Sequence, residues 1–167
     1  NKHRLFGEQS MQPVHASGGL IVFNWGVHCN KRGKGCISAM ITNEVFPLVS
    51  GPNAVNFTQW RFLYRETEPQ HFRTNDGTYN RWKFLHERKI NRCGPVDLKK
   101  KTGWRNKEVA RLLAAQHLTD KIKTVRIHDA LVPLWQLHHP QDCTHYCYSP
   151  NRLDVTWDGM VKALESF

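Results

Sequence analysis

Three short apolar runs, separated by segments of helical periodicity, limit this chain to a narrow set of folds. Residues 20–24 follow Gly18-Gly19 and read Leu-Ile-Val-Phe-Asn. Residues 60–65 read Trp-Arg-Phe-Leu-Tyr-Arg, and residues 121–127 carry Ile122, Val125 and Ile127. Short apolar stretches bounded by turn residues are strands, and an unbroken run such as 20–23 suits a buried strand. Helical patterns fill the gaps. One covers residues 37–48 and stops near Pro47 and Gly51-Pro52. A second runs from Asn106, a residue suited to an N-cap, to about Leu118, with Val109, Leu112 and Leu113 on one face. A third covers 155–164, with Trp157, Val161 and Leu164 turned inward. Thr74-Asn75-Asp76-Gly77 reads as a turn and residues 91–103 as a basic loop. This alternation predicts an α/β fold with a mainly parallel sheet that contains strands near 20–23, 62–65 and 124–127. In such sheets chemistry collects beyond the carboxyl ends of the strands, where Asn24, Glu66 and Asp129 stand.

The 167 residues suffice for one domain, which at this size buries roughly 70% of the extended chain's surface. A 40% hydrophobic content with six Trp excludes a disordered chain. No apolar run approaches the ~20 residues of a membrane span. The chain starts at Asn1 and reads as a piece of a longer protein, with residues 1–18 irregular and 19–167 forming the domain. The net charge is +10, with clusters at Lys31, Arg32, Lys34 and at Lys99, Lys100, Lys101. Such a surface is either simply solvated or attracts a polyanion, an acidic glycan or a nucleic acid. The sequence patterns of nucleic-acid modules are absent, so no nucleic-acid partner is expected.

Five cysteines leave one unpaired within the chain. Cys29 and Cys36 flank six polar residues that one disulfide closes easily. Cys93, Cys143 and Cys147 remain. With the glycosylation sequon at Asn56, the cysteines point to the secretory pathway.

The segment Asp142-Cys143-Thr144-His145-Tyr146-Cys147 carries the chemistry. It sets a carboxylate three positions from an imidazole inside a frame of two cysteines. A Ser–His–Asp machine needs an imidazole to take the nucleophile's proton and a carboxylate to orient that ring. The same stretch, with His138 and His139, also offers zinc-type ligands, although its spacing fits no closed Cys/His framework.

Here the residues resemble a known family. Asp142-Cys-Thr-His145-Tyr-Cys147 is similar to the Asp-Cys-x-His-Trp-Cys signature of the PC-esterase group, which includes the trichome-birefringence-like polysaccharide O-acetyltransferases of the SGNH/GDSL superfamily. Residues 22–28, Val-Phe-Asn-Trp-Gly-Val-His, resemble its Phe-Asn-Thr-Gly-His-Trp block. Residues 65–72, Arg-Glu-Thr-Glu-Pro-Gln-His-Phe, resemble its Arg-Thr-x-Ser-Pro-x-His-Phe block. The resemblance spans about Leu20 to Phe167. It implies an SGNH-like three-layer α/β/α fold, incomplete at its N-terminus, with His145 as general base and Asp142 as its orienting partner. Asn24 and Gly26 would line the oxyanion side of the pocket, and Arg65 and His71 would shape the substrate end. It also implies a tie from Cys93 to Cys143 or Cys147 holding the catalytic loop.

The implied activity is acetyl transfer to, or removal from, a polysaccharide in the Golgi lumen or outside the cell. The partners would be a glycan acceptor and an acetyl donor. No cofactor is implied, and membrane attachment comes only through an N-terminal anchor. Three departures stand out. Trp25 and Val27 alter the spacing of the second block and leave His28 without a role, and Glu68 stands where the family has Ser. The Gly-Asp-Ser nucleophile block is missing, and Gly7-Glu8-Gln9-Ser10 lacks the preceding apolar strand. These 167 residues then form the C-terminal, acid–base half of an enzyme. The contrasting reading is a basic, non-enzymatic module for acidic glycans or nucleic acid, with structural zinc.

Overall fold

A computed structural model describes residues 18–30, 33–50, 54, 59–86, 92–97, 103–139 and 142–167, without the side chains of residues 30 and 82–84. Residues 1–17 of the 1–18 segment expected to be irregular, Ser10 among them, the Asn56 sequon, Lys31, Arg32 and the Lys99–101 cluster lie outside the described residues.

The three apolar runs form one parallel sheet in the order β1 (Gly19–Phe23), β2 (Trp60–Arg65), β3 (Ile122–Val125). The register pairs Ile21 with Phe62 and Phe23 with Tyr64, then Leu63 with Lys123 and Arg65 with Val125. Side chains alternate across the sheet, so its two faces collect different cores. One face carries Phe62, Tyr64 and Ile122. It meets Ile37, Ile41, Val45 and Val49 from the helices after β1, and Val109, Leu112 and Leu113 from the helix before β3. The other face carries Leu63 and Val125, which pack with Ile127, Leu131 and Ala163. Each such apolar side chain stabilises the fold by about 1.5–3 kcal/mol on burial. The mixed α/β architecture and the parallel sheet expected from the alternation are both present.

The connecting helices depart from the sequence reading in instructive ways. After β1 come α1 (Gly33–Met40), a widened π turn (Ile41–Val45) and α2 (Phe46–Ser50). The Phe46 N–H reaches back five residues to the Ile41 carbonyl. That wider turn stands immediately before Pro47, which lacks an N–H, and the helix runs through the proline instead of stopping there. A short α3 (Arg81–His86) precedes α4 (Trp104–Ala115). Asn106 does not cap α4: Gly103 holds that position, with φ +67°. Asn106 lies buried in the first turn, where its carbonyl accepts from the Tyr64 hydroxyl (2.8 Å) and the Thr67 N–H (2.8 Å), and its amide donates to the Thr67 carbonyl (3.0 Å). Three buried tertiary bonds outweigh one local cap.

Beyond β3 come α5 (His128–Leu131), a 3-10 turn (Val132–Leu137), and an antiparallel hairpin of β4 (His138–His139) and β5 (Asp142–Tyr146). The chain ends in α6 (Pro150–Glu165), which starts earlier than expected because Ser149 accepts the Arg152 N–H and Pro150 suits the first turn. The inward face also differs. Trp157 and Val161 are 61% and 50% exposed, while Gly159 and Ala163 are buried against the sheet. Close approach decides this face: a Cβ on Gly159 would lie 3.0 Å from Ile127 Cγ2 and 3.2 Å from the Arg126 carbonyl. β1 is likewise not buried on both sides. Leu20 and Val22 are each 41% exposed, whereas Ile21 and Phe23 pack into the core.

Cys29 is bonded to Cys36 (Cα–Cα 5.5 Å) and Cys93 to Cys143 (Cα–Cα 5.2 Å), as expected, and Cys147 is the free thiol. No helix among the described residues is long and apolar enough to cross a membrane. The two disulfides suit a secreted or lumenal setting.

The helix-to-sheet contact yields a direct test. Gly159→Val should overpack it and lower stability by about 1–3 kcal/mol. Trp157→Ser on the exposed flank should stay within about 0.5 kcal/mol. Urea unfolding of both variants measures the difference, and equal losses would disprove the assignment of faces.

Candidate active site

Asp142 opens β5, and its carboxylate folds back over its own backbone. Oδ1 accepts the N–H groups of Thr144 (2.9 Å) and His145 (3.3 Å). Oδ2 accepts Nδ1–H of the His145 ring at 2.5 Å. A short acidic side chain bonding to N–H groups two and three residues ahead is a local, sequence-encoded turn. The bond places the ring proton on Nδ1 and leaves Nε2 as the acceptor in the neutral imidazole. The His145 side chain is 77% exposed, so that acceptor is open to a reacting group. Burial acts to raise the Asp142 pKa. The His145 ring and the two N–H groups outweigh it and hold the carboxyl below its ordinary range.

The loop leaving the carboxyl end of β2, residues 66–72, carries the hairpin. The His71 N–H donates to the Cys143 carbonyl (2.9 Å), and the Cys93–Cys143 disulfide fastens the same residue. Gln70 donates to Thr144 Oγ1 (2.8 Å), while its carbonyl accepts from Arg105 (3.1 Å) and the Tyr79 N–H (3.3 Å). Arg105 is buried, and burial lowers its pKa to about 10 against the pull of Asp76 and Tyr64, so it stays cationic at neutral pH. Gly26 lies over it: with φ +124°, a Cβ there would meet Arg105 Cδ at 3.2 Å. The chain Thr144–Gln70–Arg105 thus links the dyad to the turn after β1.

The expected residues are placed as follows. Asp142 and His145 come together directly. Asn24 does stand at the end of β1, but its amide donates to the Arg65 carbonyl (2.8 Å) and Thr67 Oγ1 (3.3 Å), while Thr67 Oγ1 donates to the Trp25 carbonyl (2.6 Å). Both amide hydrogens therefore stitch β1 to β2 and are not held out as oxyanion donors. Among the described residues, no direct hydrogen bond joins Asn24 to Asp142 or His145. Arg65 bonds Glu68 Oε1 (2.7 Å), the oxygen that also takes Arg152 (2.6 Å), and this joins the end of β2 to the first turn of α6. His71 is fully buried. Nε2 donates to the Val132 carbonyl (2.9 Å), and Nδ1 lies 2.7 Å from His138 Nε2. It works as a strut under the hairpin and not as a substrate contact. Glu66 accepts the Ile127 and His128 N–H groups, 2.9 Å each, tying β2 to β3. Asp129 is exposed and bonds the His128 ring at 2.8 Å.

Cys143 spends its sulfur on a disulfide, which removes it from a zinc set. No group of three or more His, Cys, Asp or Glu side chains among the described residues is arranged to hold a metal ion. Sequence reasoning included Gln70, Thr144 and Tyr146 in the resembling blocks but gave them no role, and it passed over Arg105 in the first turn of α4, because their partners lie far along the chain and leave no local spacing to read.

The chain matches no family model, no curated protein and no solved structure.

Two outcomes follow. Replacing Gln70 with Leu cuts three bonds at a buried site and should cost about 2–4 kcal/mol in a urea melt. The second concerns acid. Asp142 has a folded pKa below its unfolded value, so its stabilisation is present above the ordinary carboxyl pKa of about 3.9 and is lost as the pH falls through the folded value. The stability advantage of the wild type over Asp142→Asn should therefore be full at pH 7 and shrink below about pH 4, as read by thermal melts. A pH-independent difference would refute the assignment.

Proposed function

We propose that this chain is the C-terminal catalytic portion of a polysaccharide O-acetyltransferase or acetylesterase of the PC-esterase kind, with an SGNH-like three-layer fold. The observation that carries the reading is the 2.5 Å bond between Asp142 and the exposed His145 ring, on a disulfide-held hairpin at the carboxyl end of a parallel sheet. The resemblance of three ordered sequence blocks supports it, as do the two disulfides, which fit work in the Golgi lumen or outside the cell.

In this reading the nucleophile is a serine from a Gly-Asp-Ser block outside these 167 residues. Its hydroxyl attacks the acetyl carbonyl while His145 Nε2 takes the proton, and Asp142 steadies the imidazolium. Collapse of the tetrahedral intermediate returns that proton to the leaving oxygen and leaves an acetyl-serine. A sugar hydroxyl or water, deprotonated by the same nitrogen, then releases the acetyl group. The tetrahedral oxygen needs N–H donors. Because the Asn24 amide is engaged, this reading assigns that task to the backbone of the turn around Gly26. Arg65 and Arg152 share one carboxylate, so together with Glu68 they carry one net positive charge beside the site, which suits an acidic glycan.

The test uses the full-length protein with an acetyl donor and its glycan. His145→Ala should cut turnover by roughly 10³-fold or more, and Asp142→Asn by a similar order, with both variants folded by circular dichroism. The 167-residue piece alone should show negligible turnover. Wild-type rates in His145→Ala would discard the catalytic reading and put a basic glycan-binding module in its place.

A further inference from the structure

Two parts of the candidate site meet on one buried arginine. Arg105 is the second residue of α4 and is 4% exposed. Its aliphatic stem lies directly against the turn after β1. A Cβ on Gly26 would meet Arg105 Cδ at 3.2 Å and Arg105 Cβ at 3.3 Å. Its guanidinium donates to Gln70 Oε1 (3.1 Å), and Gln70 Nε2 donates to Thr144 Oγ1 (2.8 Å), on the residue before His145. Fold stability alone is a poor reason for a cation here. Burial disfavours charge, and the first turn of a helix is its positive end, where α4 carries no acidic residue. Attraction to Asp76 and the Trp104 ring, 5.1 Å from the guanidinium, offset part of that cost. The Gly26 backbone shows what the arrangement can serve. Gly26 is buried and its carbonyl accepts the Cys29 N–H (2.9 Å), yet its own N–H meets no acceptor among the described residues. Buried N–H groups are nearly always paired, so this donor is one that a bound oxygen can use.

We propose that Arg105 is a positioning residue for acyl transfer: its stem seats the Gly26 turn, its guanidinium seats the β4–β5 hairpin through Gln70, and it thereby fixes the separation of the oxyanion donor from the His145 base. The inference rests on the acyl-transfer reading, in which the tetrahedral oxygen lies at the Gly26 turn. Two groups that act on one reacting carbon must be held within about 0.5 Å of their productive geometry. The other ties near the site do not set that distance. The Asp142–His145 bond is local to β5, and the Cys93–Cys143 disulfide fastens the hairpin to residue 93 and not to the turn after β1. Asn24 joins β1 to β2. Arg105 touches the Gly26 turn directly and reaches the hairpin through a single side chain. Its charge adds a second effect. A buried cation and the positive end of α4, next to the Gly26 turn, favour negative charge that develops only in the transition state. Both effects act on the transition state more than on bound substrate, so kcat carries the loss when the residue is replaced.

The experiment compares Arg105→Met and Arg105→Lys in the full-length protein, with an acetyl donor and its glycan, and normalises rates to the folded fraction read by circular dichroism. Methionine keeps an apolar stem and loses the charge and the bond to Gln70. Lysine keeps the charge and a donor. Arg105→Met should lower kcat by about 10²-fold and leave KM within about twofold. Arg105→Lys should recover at least about tenfold of that loss. Arg105→Gln, shorter and neutral, should be as slow as methionine and takes its place if methionine does not fold. Urea stability should rank the other way. Methionine removes a buried charge, so Arg105→Met should be at least as stable as Arg105→Lys. A residue that only held the fold together would rank the two variants alike in stability and in rate. That common order, or wild-type kcat in the neutral variants, would overturn the proposal. Wild-type rates in the neutral variants beside an inactive His145→Ala remove this inference alone. Wild-type rates in His145→Ala remove the acyl-transfer reading, and this inference with it.

Discussion

Polar groups taken out of water must find partners inside, and the loop that leaves β2 shows how much of this molecule follows from that requirement. Glu66 caps the end of β3. Thr67 meets both Asn24 and Asn106. Glu68 gathers two arginines, Gln70 bridges Arg105 and Thr144, and His71 supports the hairpin from below. Those partners come from β1, α4, the segment after β3, β5 and α6. A short run of chain at the carboxyl end of the central strand is thus the place where separate elements agree on one arrangement. Severing a tie at the buried Thr67, Gln70 or His71 leaves a buried donor or acceptor unmatched, which costs more than the bond itself contributes.

The dyad and its support are built on different principles. Asp142 and His145 find each other within four residues, through bonds that also involve the N–H groups between them. Nothing distant is needed to make a base with a defined tautomer. Distant parts are needed to aim it, and these are the Cys93–Cys143 bond, the Gln70–Thr144 bond and the His71–Cys143 backbone bond.

That split explains what could be read from the sequence. The three strands were legible because apolar runs report burial directly, and the Asp142–His145 pairing because it depends on a local spacing. The Cys29–Cys36 bond was legible for the same reason. Features set by partners far along the chain were not. Asn106 looks like a cap until Tyr64 and Thr67 claim it across about forty residues. The apolar stripe of Trp157 and Val161 looks like an inward face until the smaller Gly159 and Ala163 allow closer approach to the sheet. Asn24 was placed correctly at a strand end, but its amide serves the neighbouring strand. The β4–β5 hairpin is too short and too polar to leave a periodic trace.

The disulfide between Cys93 and Cys143 spans 50 positions of sequence, and the stretch it closes contains α4, β3, α5 and β4. A pull applied at the two ends of the domain would run along the covalent path of least length, through the sulfur bridge and past that stretch. Roughly 170 Å of extended chain is thereby withheld from stretching until the bridge is reduced. A strand of the sheet is mechanically shielded even when the elements around it yield. By the same geometry, a backbone cut anywhere inside the closed stretch leaves one connected molecule, with the hairpin that carries Asp142 and His145 still tethered to the body of the fold.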